Sequence, residues 1–234
     1  MIDHKKKAAE KAFQMIKSGQ VIGLGDGSTV LCLAELIASD RVLADSLTLT
    51  TSSRNTALKM GELGLSYTQI SALQYVDRYF DGCDQFDREL NALKSGSGIH
   101  TTEKILAGMA AQFILMGDLE KYSEHLTSEF PLVVEIIPSA FVSVAGKIKS
   151  EFPQAAYAQR AAVTAHGNYL LELKFAFWPE LSYLNTFLKM LPGVLDHSLF
   201  YRMANKAVIS GPDGTKCWIR LRKNLSKKNV GKLH

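Results

Sequence analysis

The segment Val21-Ile22-Gly23-Leu24-Gly25-Asp26-Gly27-Ser28-Thr29 constrains the fold more than any other stretch. An uncharged apolar run this short reads as a strand buried on both faces, the kind found in parallel sheets covered by helices. Gly25 and Gly27 then turn the chain, and Ser28 has the chemistry of an N-cap for a helix with Val30, Leu33, Ala34 and Ile37 on one face. Upstream, residues 4–17 predict a helix with Ala8, Ala12, Phe13 and Ile16 along an apolar stripe. The same rhythm continues downstream. Residues 47–51 read as a strand, a helix opens near Ser53, and residues 74–80 and 111–116 are further strands. Such alternation predicts parallel α/β layering.

Near residue 130 the pattern changes. Residues 133–137 read as a strand and 139–149 as a helix, with strands at 161–164 and 169–173 around His166-Gly167-Asn168. A helix at 180–190 and a strand at 194–199 complete the order βαββαβ, which suits a ferredoxin-like α+β domain. Residues 206–210 and 217–221, joined by Gly211-Pro212-Asp213-Gly214, predict a hairpin that returns to the first sheet. The expected division is a Rossmann-like parallel-sheet domain from 1–130 plus 200–225, a smaller ferredoxin-like domain from 131–199, and a basic tail at 226–234.

Composition excludes several classes of function. The most apolar uncharged stretch, residues 105–117, falls short of the roughly 18 residues that suggest a membrane span. The opening Met-Ile-Asp-His-Lys-Lys-Lys leads into no apolar signal core. Cys32, Cys83 and Cys217 are odd in number and unclustered, arguing against a disulfide scaffold or a zinc site. A cytoplasmic protein with no membrane partner is expected. The net charge of +4 hides an asymmetry: residues 216–234 hold seven lysines and arginines and no acid, and removing them leaves −3. A nucleic-acid or membrane-surface contact and a solvated terminus all fit that tail. Its lack of aromatic interleaving beyond Trp218 favours the solvated terminus, so no nucleic-acid partner is expected. The run Phe175-Ala176-Phe177-Trp178 reads as core or subunit contact.

Three loops carry the chemistry. In the first, Gly23 to Thr29, open amides and a helix N-terminus suit a phosphate, although a plain tight turn fits equally well. It lacks the lysine of a Walker loop and the last glycine of a dinucleotide loop. Asp26 is awkward there, because a carboxylate repels phosphate unless it points away or meets another group. The second loop, Asp81-Gly82-Cys83-Asp84-Gln85-Phe86-Asp87, follows a strand, where α/β folds place ligands. Its carboxylates suit sugar hydroxyls, acid–base work or a metal, and a solvated acidic turn fits equally; the calcium-loop spacing is absent. The third, Lys94-Ser95-Gly96-Ser97-Gly98-Ile99-His100-Thr101-Thr102-Glu103-Lys104, places a cation before two glycines and a carboxylate near a helix start. Lys94 could neutralise an oxyanion and Glu103 act as a general base, with a surface charge the alternative for each. His100 fits either ligand contact or a loop surface.

These residues resemble the A-type ribose-5-phosphate isomerase family over about residues 5–215. The family's Gly-x-Gly-Thr-Gly-Ser-Thr loop is similar to Gly23 through Thr29, and its Asp-Gly-Ala-Asp-Glu to Asp81 through Gln85. Lys-Gly-Gly-Gly leading to Arg-Glu-Lys resembles Lys94-Ser95-Gly96-Ser97 and then Thr102-Glu103-Lys104. Asp-x-Ser-Lys is similar to Asp118-Leu119-Glu120-Lys121, and Pro-Leu-Pro-Val-Glu-Val-Ile-Pro to Pro131 through Pro138. Thr-Asp-Asn-Gly-Asn looks like Thr164 through Asn168, and Pro-Gly-Val with a later Leu-Phe like Pro192-Gly193-Val194 and Leu199-Phe200. Asp26, Gln85, Ser95, Ser97 and Thr102 depart from the family pattern, whereas Asp81, Asp84, Lys94, Glu103 and Lys121 keep it.

The resemblance implies interconversion of D-ribose 5-phosphate and D-ribulose 5-phosphate through an enediolate, without metal or organic cofactor. Glu103 would be the base, Lys94 the oxyanion partner, Asp81 the group assisting ring opening, and Asp84 a holder of Lys94 or of hydroxyls. Asp26, Gly27, Ser28, Thr29, Gly82, Cys83, Ser95, Gly96, Ser97 and Lys121 would contact substrate, with Ser28, Thr29 and Lys121, and more weakly Lys5, as anchors that include its phosphate. A homodimer or homotetramer is implied as well. The departures also motivate an alternative, a sugar-phosphate-binding regulatory protein that keeps the fold and has lost the reaction.

Overall fold

The computed structural model describes residues 3–220. In chain order the elements are α1 (His4–Phe13), β1 (Val21–Leu24), α2 (Ser28–Ser39), α3 (Arg41–Ser46), β2 (Thr48–Thr51), α4 (Arg54–Glu62), β3 (Val76–Asp81), β4 (Gln85–Phe86) and β5 (Ala92–Leu93). They continue as α5 (His100–Met109), β6 (Ala110–Asp118), β7 (Leu132–Ile136), α6 (Phe141–Glu151), β8 (Ala156–Gln159) and β9 (Tyr169–Lys174). The last are α7 (Leu181–Met190), β10 (Val194–His197), β11 (Leu199–Phe200), β12 (Lys206–Gly211) and β13 (Gly214–Ile219).

The first sheet runs β13-β12-β6-β3-β1-β2, parallel except for the β12–β13 hairpin. β1 sits inside this sheet with all four residues buried, which is why its sequence shows no alternation. One face is covered by α1 and α2, whose Ala8, Ala9, Ala12, Val30, Leu33, Ala34 and Ile37 pack against Ile22, Leu24, Phe80 and Ile114. The other face packs Tyr79, Phe113 and Leu115 against Leu106 of α5 and Phe200.

The second sheet has the order β10-β7-β9-β8 and is antiparallel throughout, as βαββαβ connectivity requires. Its core is Leu132, Val134, Ile136, Leu171 and Leu173 against Val144 and Ile148 of α6 and Leu184 and Leu188 of α7. A third, small sheet, β11-β5-β4, lies where the chain passes between the two, and Lys94 N–H donates to Ser198 O at that crossing.

Several local expectations are corrected. Ser28 is the first helical residue; the N-cap is Gly27, at φ 106°, and no side chain caps α2. The glycine is needed there because that backbone region is strained for any residue with a Cβ. The first strand of the 131–199 hairpin is residues 156–159, while 161–164 form the turn region, where Thr164 N–H is tied to Asn168 O. Val163 and Thr164 are β-branched, but the residues that pair with β9 lie further upstream. Helix α3 and the strands β4, β5 and β11 were too short to leave a period, and α1 stops at Phe13 rather than 17. Phe175 is core, whereas Phe177 is exposed. Leu221 of the expected hairpin and the basic tail at 226–234 lie outside the described residues.

Candidate active site

Three loops at the C-terminal ends of β1, β3 and β5 converge on one cavity of about 270 Å³. Asp26, Gly27, Ser28 and Thr29 line it from the first loop, Gly82, Cys83 and Asp84 from the second, and Lys94, Gly96, Ser97 and Glu103 from the third. Lys5 of α1 and Lys121, after β6, close the wall with Asp118. Strand order places these loops side by side, because β3 pairs with β1 on one edge and β6 on the other.

At the centre, Lys94 Nζ lies 2.9 Å from Asp81 Oδ1 and 3.2 Å from Glu103 Oε1, and it donates to Gly82 O at 2.6 Å. Its contact with Glu103 is an ion pair without hydrogen-bond alignment, so both Glu103 oxygens lack a hydrogen-bond donor. All three side chains are almost wholly buried. One cation thus faces two carboxylates away from water. Burial pushes the Glu103 carboxyl up to about 8, opposed by Lys94 and reinforced by Asp81. Burial lowers the Lys94 ammonium's pKa, but Asp81 and Glu103 outweigh it and hold the group above its ordinary value. With one cation facing two carboxylates, burial favours the protonated form of Glu103, because a net-neutral cluster is cheaper to bury than an anionic one.

Asp81 sits beneath the cavity rather than in its wall. Both its oxygens are engaged: Oδ1 by Lys94 and the Asp26 N–H at 3.0 Å, Oδ2 by the Tyr79 hydroxyl at 2.5 Å. A Cβ at Gly25 would come within 2.0 Å of the Asp81 carboxyl carbon, so the first loop can cross over this carboxylate only with glycine at that position. Tyr79 and Asp81 share one face of β3 at a spacing of two, a period that could have revealed the tyrosine in the sequence.

Asp26 has a partner. Its Oδ1 accepts a 2.7 Å hydrogen bond from Ser53 Oγ, and the same oxygen of Ser53 accepts from Thr56 N–H as the N-cap of α4. Asp84 does not hold Lys94. Its Oδ2 accepts from the Ser95 and Gly96 amides at 2.5 and 3.2 Å, fixing the third loop. Ser95 is the predicted contact residue that the structure turns away: its hydroxyl donates to Pro131 O. Cys83 lines the cavity, but burial pushes its thiol up to about 12, leaving it protonated and a poor nucleophile at neutral pH. His100, expected at a loop surface or a ligand, is instead fully buried as the first residue of α5.

The arrangement pairs a cation-rich end with an acid–base end. At the first, the amides of Ser28 and Thr29, which open α2 ahead of the Val30 N–H that donates to Gly27 O, join Lys5 and Lys121 in a setting suited to an anion. At the second, a protonatable carboxylate and an ammonium share the cavity wall.

Residues 48–214 match the family model described as ribose 5-phosphate isomerase A (phosphoriboisomerase A). The chain is 34% identical over 211 residues to a ribose-5-phosphate isomerase of Homo sapiens, covering 86% of this chain and 67% of that one. It is 31% identical over 225 residues to a ribose-5-phosphate isomerase A of Synechococcus, covering 92% and 96%. Among solved structures, a D-ribose-5-phosphate isomerase in complex with phospho-erythronic acid superposes with a TM-score of 0.85 at 26% identity, covering 93% of this chain and 98% of that one. Family model, relatives and fold agree, and the chain belongs to the ribose 5-phosphate isomerase A family.

Proposed function

We propose that this protein interconverts D-ribose 5-phosphate and D-ribulose 5-phosphate, with Glu103 as the general base. The observation that carries the reading is the placement of Glu103: a buried carboxylate with no hydrogen-bond donor, facing the same cavity as Lys94, Lys121 and the α2 N-terminus. The phosphate anchors on the amides at Ser28 and Thr29 with Lys121 and Lys5. That leaves C1 and C2 of the open-chain sugar at the Glu103 end.

Glu103 takes the proton from C2, and the electron pair of that C–H bond forms the C1=C2 bond of the enediolate while the aldehyde π pair moves to O1. Lys94 and the Ser97 amide stabilise the negative charge on O1. Glu103 returns the proton to C1, and the O2 proton passes to O1, giving the ketose. A single carboxylate serves both carbons because they are bonded neighbours. Acid–base help of this kind typically contributes about 10²–10⁴-fold. Since both Asp81 oxygens are engaged, we assign Asp81 to keeping Lys94 charged and in place, and Asp84, in the cavity wall, to sugar hydroxyls and ring opening. This moves ring opening from Asp81 to Asp84 and the holding of Lys94 to Asp81, while Asp84 keeps its expected role toward hydroxyls.

The regulatory alternative rests on the departures from the family pattern, and most of them are satisfied by partners within the protein. Asp26 is tied to Ser53, Gln85 is buried in a two-way pair with Thr127, and Ser95 bonds Pro131 O. That favours catalysis. The test is an aldose-to-ketose assay with purified protein across phosphorylated four-, five- and six-carbon sugars. Turnover of ribose 5-phosphate is expected, and saturable binding of it without ketose formation at high protein concentration would establish the regulatory reading instead. The protein is assigned to the cytoplasm as a homodimer or homotetramer, a state that light scattering tests. Among the described residues no helix is long and apolar enough to cross a membrane.

A further inference from the structure

The third loop receives hydrogen bonds from the antiparallel-sheet domain through one side chain that neither its sequence context nor the proposed chemistry singles out. Arg160 follows directly after β8, and its backbone N–H continues the ladder by donating to Leu170 O. Its guanidinium makes three bonds: Nη2 to Ser95 O at 2.5 Å, Nη1 to Gly96 O at 3.0 Å, and Nε to Glu172 Oε1 at 2.5 Å. The planar fork thus reads two successive carbonyls while a carboxylate on β9 fixes its own plane.

The peptide unit between residues 95 and 96 is gripped at both ends. Arg160 holds its carbonyl and Asp84 holds its N–H. In a trans peptide the carbonyl and the amide point in opposite directions. Holding Gly96 O toward Arg160 therefore aims the Ser97 N–H to the other side of that peptide, and Ser97 lines the cavity. Without such a grip this stretch has little to fix it, since Gly96 and Gly98 leave the backbone free and Gly98 already sits at φ 71°.

We infer that Arg160 is a positioning residue for the isomerase site: acting from the second domain, it orients the 95–97 peptides so that the loop amide and Lys94 meet the enediolate oxygen. The inference rests on the proposed reaction for its kinetic consequence, though the peptide orientation itself does not depend on it.

The variants are Arg160→Gln and Arg160→Lys, the second retaining charge and one carbonyl bond. Kinetics are measured alongside inhibition by phospho-erythronic acid and by inorganic phosphate, and amide hydrogen exchange is followed at residues 95–97. For Arg160→Gln, kcat falls by about tenfold or more and phospho-erythronic acid inhibits about tenfold less well, as expected for a lost oriented donor near developing charge. Inorganic phosphate inhibition stays within about twofold, because the α2 end is untouched. Exchange at Ser95 and Gly96 accelerates, and Arg160→Lys lies between wild type and Arg160→Gln in every readout. Equal losses for both inhibitors, or unchanged kcat and exchange in a folded Arg160→Gln protein, would overturn the inference. If Arg160→Gln fails to fold, Arg160→Lys decides alone, and wild-type kcat and exchange in it overturn the inference equally. If wild-type protein proves inactive on sugar phosphates, the proposed reaction fails, while the exchange and inhibitor-binding arms still decide the role of Arg160.

Discussion

Lys94 stands 2.9 Å from Asp81 and 3.2 Å from Glu103, so a single buried ammonium is shared by two carboxylates. Two anions and one cation cannot all stay charged cheaply out of water, and burial, reinforced by Asp81 and opposed by Lys94, makes Glu103 the member whose protonated form is favoured.

Replacing Glu103 by glutamine keeps the shape and removes the base. Turnover of ribose 5-phosphate should fall by about 10²–10⁴-fold or more while sugar-phosphate affinity stays within a few-fold. Steady-state kinetics and calorimetric binding check this. Near-normal turnover would remove Glu103 from the reaction.

The same carboxyl sets two opposite pH dependences. A base must be unprotonated, so kcat/KM should rise with pH through the raised Glu103 value near 8 rather than through the ordinary 4.5. Folding has the reverse sign. Between the unfolded value of 4.5 and the folded value near 8, the folded protein holds a proton that the unfolded chain releases, so this group's stabilisation is lost as pH rises. Denaturant titrations from pH 5 to 8 should show that Glu103→Gln removes this part of the slope.

His100 acts on the acid side. Burial pushes its imidazole down from 6.5 to about 4, so the folded protein keeps it neutral while the unfolded chain takes up a proton. Stability contributed by this group is present above pH 6.5 and is lost as pH falls toward 4. His100→Leu should flatten this loss in chemical unfolding curves between pH 6.5 and 4. An unchanged acid limb would show that other groups govern it.

Gly25 cannot bear a side chain, because a Cβ would meet the Asp81 carboxyl carbon at 2.0 Å. Gly25→Ala should cost roughly 1–3 kcal/mol through forced displacement of the strand-end carboxylate, and activity should fall with it. Gly27→Ala, where a Cβ meets nothing but φ is 106° and ψ 161°, should cost roughly 1–3 kcal/mol through backbone strain with a smaller loss of activity. Thermal unfolding and kinetics on both variants distinguish clash from backbone strain.

Ser53 caps α4 and also occupies Asp26. Ser53→Ala should cost about 1 kcal/mol as a lost cap. It should also free a carboxylate beside the Ser28 and Thr29 amides proposed to hold the phosphate, raising KM for the sugar phosphate several-fold with little change in kcat. Adding Asp26→Asn should restore KM but not stability. Failure of that rescue would mean that Asp26 does not influence the phosphate end.

The α/β class and the three loops were legible in the sequence because local chemistry dictates them. An uncharged run such as Val21 to Leu24 has no solvent face, glycines at 25 and 27 must turn, and Lys94 precedes two glycines that delay the helix until His100, with Glu103 in its first turn. Motif spacing carried the βαββαβ order even though one strand was placed at 161–164 instead of 156–159. Tertiary structure alone decided what each side chain touches. Asp81 lies beneath the cavity because Gly25 crosses over it, Asp26 is occupied because α4 brings Ser53 to it, and Asp84 serves loop amides rather than Lys94. Arg160 reaches Ser95 across 65 residues of sequence, a contact created by docking two separate cores. Strand and helix patterns record which face of an element is buried; they hold no information about which charged groups long-range packing will bring within 3 Å of one another.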